Sequence, residues 1–268
     1  MKIQLAIIQT AILSLVFLFA PKSVSAQEIP SPANIASSDI QGRFGGVIKW
    51  SPYDTEAFFV EGALQLRLNN NYTSVDRFHT AIRVNLWLAQ IDDVLINAYD
   101  GITKQWISPH HRVNLNLHGG WWKAGPIVIE LRERLQTTFY SNSVNKYERR
   151  NPEFILRSRL TLAYGENLFH WRWIPYILFE LNNSLNSPAV VANYKDEALS
   201  TDNYITRYRA GFGTKYFINR KNHLDIYYYF DYDRSKDINY NSINGNLESY
   251  KMNNQMRHIF GIRYHFQL

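Results

Sequence analysis

The chain contains no cysteine, and beyond residue 26 it has no apolar run long enough to form a membrane-spanning helix. The first absence excludes a disulfide-stapled fold, and the second excludes helical membrane spans from the rest of the chain. The abundant residues are aromatic, with 18 Tyr, 15 Phe and 7 Trp among 268 residues, yet the mean hydropathy is only −0.33. A disordered chain would be poorer in aromatic residues. Large apolar rings in a chain that is polar on average are typical of a membrane β-barrel.

The N-terminus has the pattern of a secretory signal peptide. Lys2 supplies the positive charge, residues 3–20 are mostly apolar, and Val24 and Ala26 occupy the small-residue positions of a cleavage site. We therefore expect residues 1–26 to be cleaved and residues 27–56 to form an N-terminal periplasmic lead-in. Cleavage removes Lys2 and Lys22 and lowers the formal charge from +6 to +4, which is too mild to indicate nucleic acid as a partner.

Apolar and polar residues alternate with a period of two over most of the remaining chain. Phe58, Val60, Leu64, Leu66 and Leu68 alternate with polar residues in the first such run. This period places all apolar side chains on one face of a sheet. Similar runs cover Phe78–Ala89, Val113–Trp121, Ile127–Tyr140, Phe154–Tyr164, Tyr204–Phe217, Leu224–Tyr232 and Met256–Leu268.

The length of these runs and their connections favour a transmembrane barrel. Runs of about 10–14 residues approach the length of a tilted strand that crosses a bilayer, and soluble strands are usually shorter. Short connections at 123–126, 165–171 and 218–222 alternate with long polar ones at 141–152, 187–203 and 235–254. Barrels of the outer membrane have tight periplasmic turns and long extracellular loops. We expect an all-β, antiparallel transmembrane β-barrel over residues 57–268, with about ten strands, or twelve as the alternative, and with both termini in the periplasm.

The last strand and the aromatic residues at strand ends also indicate a transmembrane barrel. In the final strand Met256, His258, Phe260, Ile262 and Tyr264 share one face, which resembles the signal read by the outer-membrane assembly machinery. Rings also gather where the strands end, as expected for two girdles at the membrane interfaces. They are Trp121, Trp173, Tyr216 and Tyr264 beside the short turns, and Tyr140, Tyr204 and Tyr232 beside the long loops.

The polar face carries an alternating set of charges that we name the lumen charge ladder. Centring each hairpin on its turn places Arg157 opposite Glu180, Glu180 near Arg209, and Arg134 near Arg159. Such a ladder either neutralises itself and plugs the lumen or, since cations exceed acids in it, forms a slot that attracts anions. Its members are Glu130, Arg132, Arg134, Arg157, Arg159, Glu180, Arg207 and Arg209.

No catalytic or metal-binding motif appears in the sequence, and we assign no catalytic residue, metal or cofactor. His110 and His111 are adjacent in a loop, where they do not form a site. Asp231 and Asp233 lie where a rim protease would keep its acids, but solvated rim charges are the simpler interpretation. Asp92 and Asp93 are interpreted as turn residues.

The C-terminal half carries Pro175, Tyr176 and Glu180, then Arg207, Arg209, Gly211 and Gly213, and finally His258 and Gly261. This spacing resembles that of an uncharacterised outer-membrane family, domain of unknown function 2490 (DUF2490). The residues that carry the resemblance lie mainly within 110–268, and the region before it matches poorly. The resemblance implies a β-barrel of the cell envelope without an established activity, so it supplies no catalytic residues. The matching positions are Glu130, Arg132, Arg157, Arg159, Pro175, Tyr176, Glu180, Arg207, Arg209, Gly211, Gly213, His258 and Gly261, whereas Thr214 stands where the family has Tyr.

These patterns together predict a small outer-membrane barrel of a Gram-negative bacterium, exported by a Sec-type pathway. Its role would be structural, binding or that of a narrow channel, and its partners would be outer-membrane lipid and the barrel assembly machinery, with no small-molecule ligand identified. The alternative is an outer-membrane enzyme that cleaves lipid or peptide at the extracellular rim.

Overall fold

The computed structural model is all-β, with its strands in one strongly curled, mixed sheet of the β-barrel type. It describes residues 33–51, 58–68, 75–86, 89–94, 98–100, 105–107, 110–141, 143–164, 172–195 and 201–268. The signal peptide expected at residues 1–26 lies outside this part. No helix in the described ranges is long and apolar enough to cross a membrane.

In the described ranges ten strands have eleven or more residues, in agreement with the expected number of about ten, and three are shorter. The strands are β1 (Ala33–Trp50), β2 (Phe58–Leu68), β3 (Val75–Leu86), β4 (Ala89–Val94), β5 (Ala98–Asp100), β6 (Gln105–Ile107), β7 (His110–Ala124), β8 (Ile127–Tyr140), β9 (Glu153–Tyr164), β10 (Trp173–Pro188), β11 (Thr201–Phe217), β12 (Asn222–Tyr240) and β13 (Leu247–Gln267).

The pairings run around the sheet and return to their starting point. β7 to β13 pair in chain order, β13 pairs with β1, β1 with β2, β2 with β3, and the short β4 links β3 to β7. The β5–β6 hairpin pairs with β3 through β5 and is not part of this ring. We call the end of the sheet with the Gly125–Pro126 turn the turn end, and the end with residues 141–152 the loop end.

The N-terminal segment differs from the expectation in two ways. Ala33–Trp50, placed by the sequence in the lead-in, is a full strand of the sheet, and it pairs with β13 in parallel. A ring with an odd number of strands cannot alternate direction throughout, so one neighbouring pair must be parallel. Ala33 therefore starts at the loop end, opposite Lys251, while Leu268 lies at the turn end beside Lys49, so the two described ends do not share one side.

His110 and His111, predicted to lie in a loop, begin strand β7. Two predicted connections are also strands in the structure. The expected loop 235–254 is mostly strand, because β12 and β13 pair on to Tyr240 and Leu247 around a turn at 241–246. Asp92 and Asp93, predicted as turn residues, lie in β4 and pair with Arg83 and Ile82 of β3. In both places polar residues were interpreted as a loop or turn. A strand of polar residues nevertheless forms the same backbone hydrogen bonds with its neighbour as an apolar one.

Between Ile238 and Tyr250, β12 and β13 pair with each other and with no other strand of the described residues, and other loops cover this part of the hairpin. Ile238 is fully buried, its backbone N–H donates to Glu148, and its carbonyl accepts from Asn145. The rings of Tyr147, Tyr194 and Tyr240 pack together with centroids 4.7–5.6 Å apart. The loops at 143–152 and 189–195 and this hairpin therefore form one ordered cap at the loop end.

In a soluble domain most buried side chains are apolar and most exposed ones are polar. The two faces of this sheet show the opposite distribution. Phe212 is 58% exposed and Phe179 50%, whereas Glu180 is 1% exposed and Asp231 is fully buried. Trp173 and Tyr216 are in tilted contact at the turn end, with ring centroids 4.6 Å apart. Exposed apolar residues of the outer face include Ile40, Phe44, Ile48, Leu64, Val113, Leu115, Ile127, Phe139, Ile177, Phe260 and Ile262, and buried polar residues of the inner face include Gln41, Asn114, Asn116, Gln136, Asn182 and Asp225.

Near the turn end the interior is packed by tyrosine rings over glycines. Tyr176 lies directly across from Gly213, and Tyr227 from Gly261, on the neighbouring strand. A Cβ added at either glycine would enter the van der Waals surface of the facing ring. The Tyr176 hydroxyl donates to Asp225 at 2.8 Å, which holds this layer in place. Glycine is required here because the space of a side chain is already filled.

We expect Gly261→Ala to destabilise the fold by about 1–3 kcal/mol, because the methyl group displaces the buried Tyr227 ring. Gly46→Ala is the matched control, since nothing lies within 4 Å of its added Cβ. Urea unfolding followed by tryptophan fluorescence measures both changes. Equal midpoints for the two variants would contradict the tight ring–glycine packing.

Candidate functional site

The interior carries one rung of charged residues that crosses the sheet at the level of Glu180. Cross-strand register places Arg159, Glu180, Arg209, Asp231 and Arg257 side by side on β9 to β13. The rung continues to Arg132 on β8 and to Asp39 on β1. Period-two alternation aims these side chains inward, and direct pairing brings acids and bases to neighbouring positions.

Glu180 is the centre of this charge rung. Its Oε1 accepts from Arg157 Nη2 at 2.9 Å, its Oε2 accepts from Arg159 Nη2 at 2.5 Å, and Arg209 Nη1 lies 3.7 Å from Oε1. Its side chain is fully buried. A buried carboxylate is tolerated only with such compensation, since an unpaired one costs several kcal/mol.

Asp231 and Asp233 extend the same network toward the loop end. Asp231 accepts from Arg209 at 2.6 Å and 2.8 Å, and Arg257 lies 3.9 Å away. Asp233 accepts from Arg207 and forms a second ion pair with Arg257. Because Asp231 is fully buried and both acids are engaged by arginines, their interpretation as solvated rim charges is wrong.

The register corrects two of the expected ladder contacts. Arg157 contacts Glu180 as predicted, but its direct cross-strand partner is Asn182, and Arg159 lies opposite Glu180. Arg134 pairs with Arg157 rather than with Arg159, which pairs with Arg132. The loops of these hairpins are not centred on their sequence midpoints, so the predicted register was displaced by two residues.

The ladder residues of β8 occupy the flank of the network. Arg134 donates to Asn116 at 2.7 Å, Arg132 lies beside Arg159, and Glu130 pairs with Thr161 one rung nearer the turn end. On the outer face of the same strand, Glu133 accepts from the Ser158 hydroxyl at 2.6 Å. Alternation along β8 thus places Glu130, Arg132 and Arg134 on the inner face and Glu133 on the outer face.

Sequence reasoning missed the part of the network that β1 and β13 contribute. Arg43 donates to Gln41 at 2.8 Å, Gln41 in turn donates to Asp39, and Arg257 joins both aspartates of β12. The signal for β1 was its alternation of Phe44 and Ile48 with Arg43 and Lys49. Only the parallel pairing with β13 places Asp39 opposite Arg257.

A cavity of about 270 Å³ opens between the charge network and the loop-end cap. Its floor includes Arg207, Asp233 and Arg257, and its walls include Ser187 and Lys236. Lys236 Nζ donates to the Pro188 carbonyl at 2.9 Å and to Asp202 at 3.0 Å.

The described residues contain no group of three or more His, Cys, Asp or Glu side chains that could hold a metal ion. Comparison with known proteins adds no relative, since no family model, curated protein or solved structure matches the chain. The function is therefore argued from the geometry of the charge network, the cavity and the outer face.

We expect Glu180→Ala to cost about 3–5 kcal/mol of folding free energy, because three guanidinium groups lose their shared buried carboxylate. Glu248→Ala is the control; this exposed side chain accepts one hydrogen bond from Asn241 at 2.8 Å, and the change should stay within about 0.5 kcal/mol. Urea midpoints measure both. A small effect of Glu180→Ala would show that the network does not hold the strands together.

Proposed function

We propose that the protein is an outer-membrane β-barrel whose outer face contacts lipid and whose lumen is closed by the charge network. The observation that carries this proposal is the inverted polarity of the sheet: buried Glu180 and Asp231 inside, exposed Phe179, Phe212 and Phe260 outside. Such an arrangement is costly in water, where exposed apolar area is unfavourable, and favourable in a bilayer.

The orientation follows from the connections. The turn end, with the Gly125–Pro126 turn, faces the periplasm, and the loop end, with its ordered cap, faces the outside of the cell. Export by the residue 1–26 signal and insertion by the assembly machinery through β13 belong to this proposal. The DUF2490 resemblance remains an interpretation of the residues that carry it.

Several features support a binding or structural role over transport. Barrels of about eight strands are filled by their own side chains, and wide aqueous pores need about sixteen. The Tyr176–Asp225 layer and the Glu180 network together occupy the interior over successive rungs of the sheet. The enzyme alternative placed its acids at Asp231 and Asp233, and arginines engage both carboxylates.

Membrane fractionation is the deciding experiment. Full-length protein expressed in a Gram-negative host should sediment with outer membranes, resist carbonate extraction and migrate faster on gels before boiling than after. These behaviours follow from a stable closed barrel with an apolar surface. Recovery of folded protein in the soluble periplasmic fraction would overturn the proposal.

Planar-bilayer recording distinguishes a closed lumen from a channel. We expect the purified barrel to insert without step conductance, because the charge network bars ions from the lumen. A known porin measured in the same bilayers is the positive control. Regular ohmic steps from the wild-type protein would identify it as a narrow channel instead.

A further inference from the structure

The loop-end cavity is positively charged at its floor. Arg207 and Arg257 share one carboxylate, Asp233, and Arg157 and Arg159 share Glu180 just below. Arg234 and Lys236 also line the cavity wall. Glu148, Arg149, Arg150 and Glu153 line the cavity as well, so five arginines and Lys236 face three carboxylates. An anion entering the cavity therefore still meets a favourable field.

Two buried oxygen atoms of the cavity wall have no hydrogen-bond partner among the described residues. They are the Ser187 hydroxyl oxygen and the Asn182 side-chain oxygen, on residues that are 4% and 7% exposed. Buried polar atoms are almost always hydrogen-bonded, since leaving one unpaired costs about 1–3 kcal/mol. Ser187 can donate to an anionic oxygen, whereas the Asn182 oxygen requires a donor.

We infer that this cavity binds a small polyhydroxylated anion of the sugar-acid class. The carboxylate would lie toward Arg207, Arg234 and Arg257, and hydroxyl groups would satisfy Asn182 and Ser187. The volume of about 270 Å³ accommodates one sugar ring and excludes longer oligomers from full burial. The inference rests on the proposed function, because that orientation opens the cavity to the outside of the cell.

Two other kinds of ligand, inorganic phosphate and a neutral sugar, would each leave some of the cavity's polar or charged groups without a partner. Inorganic phosphate would engage the arginines but offers few donors to the Asn182 oxygen. A neutral hexose would pair with Asn182 and Ser187 but would leave the excess positive charge uncompensated. A hexuronate satisfies both requirements, whether it is free or part of a lipopolysaccharide headgroup.

Isothermal titration of the full-length, detergent-purified barrel with sodium glucuronate tests the inference. Binding should be saturable, should weaken as NaCl rises, and should exceed the binding of both glucose and inorganic phosphate. Titration with lipopolysaccharide that carries or lacks acidic core sugars separates the two sources. Tighter binding to the acidic form identifies the headgroup, whereas binding of glucuronate without binding of either lipopolysaccharide identifies the free sugar acid. Equal binding to both lipopolysaccharides overturns the sugar-acid site.

Two variants test the residues. Ser187→Ala removes one hydrogen bond and should weaken glucuronate binding roughly fivefold, and Arg234→Gln should weaken it by a similar factor and flatten its salt dependence. Ser242→Ala, in the exposed hairpin turn, is the control and should leave affinity unchanged. Ser187→Ala removes only an unpaired hydroxyl, so the fold is expected to survive.

The outcomes separate this inference from the proposed function. A protein that shows heat-modifiable mobility but binds glucose or phosphate as well as glucuronate, or binds none of them, overturns the sugar-acid site and leaves the membrane barrel intact. Unchanged affinity in both variants also overturns it. A folded protein in the soluble fraction overturns the proposed function itself.

Discussion

The ion pairs of Glu180 are the interaction on which the interior depends. One fully buried carboxylate on β10 is held by arginines of β9 and β11, so three strands must keep their register for it to remain compensated. A slip of one residue would turn Glu180 toward the outer face, and a slip of two would remove it from its arginines. The costly buried charge thereby specifies a single strand alignment.

The interior is layered around this network. Toward the turn end, tyrosine rings packed over Gly213 and Gly261 fill the space, and toward the loop end the packing opens into the cavity beneath the cap. Large rings need glycine opposite them because both strands aim their side chains into the same narrow interior. The tyrosine layer lies on the turn-end side of the charges, and the cavity lies on their loop-end side. This asymmetry is the reason for placing a binding role at the loop end.

Particular residues show how far sequence reasoning reaches. Alternation in Ile127–Tyr140 identified β8 and its inward charges, and the Gly125–Pro126 turn was expected because the connection is short. The contact between Arg157 and Glu180 was predicted, but the pairing of Arg134 was displaced by two residues. Residues 235–254 were predicted as a loop because Asn and Ser dominate them, yet all but the turn at 241–246 pair as strands. Composition indicates polarity, whereas pairing depends on the neighbouring strand.

The sequence by itself determined the all-β class, the inward and outward residues of most long strands, and the excess of arginine on the inner face. Each of these follows from local alternation, which the backbone geometry of a strand converts directly into sidedness. Tertiary structure alone decided the entry of Ala33–Trp50 into the sheet beside β13, the joining of Asp231, Asp233 and Arg257 to Glu180, and the cavity above them. These features require residues far apart in the chain to meet, and the register that brings them together depends on closing the sheet rather than on any local pattern.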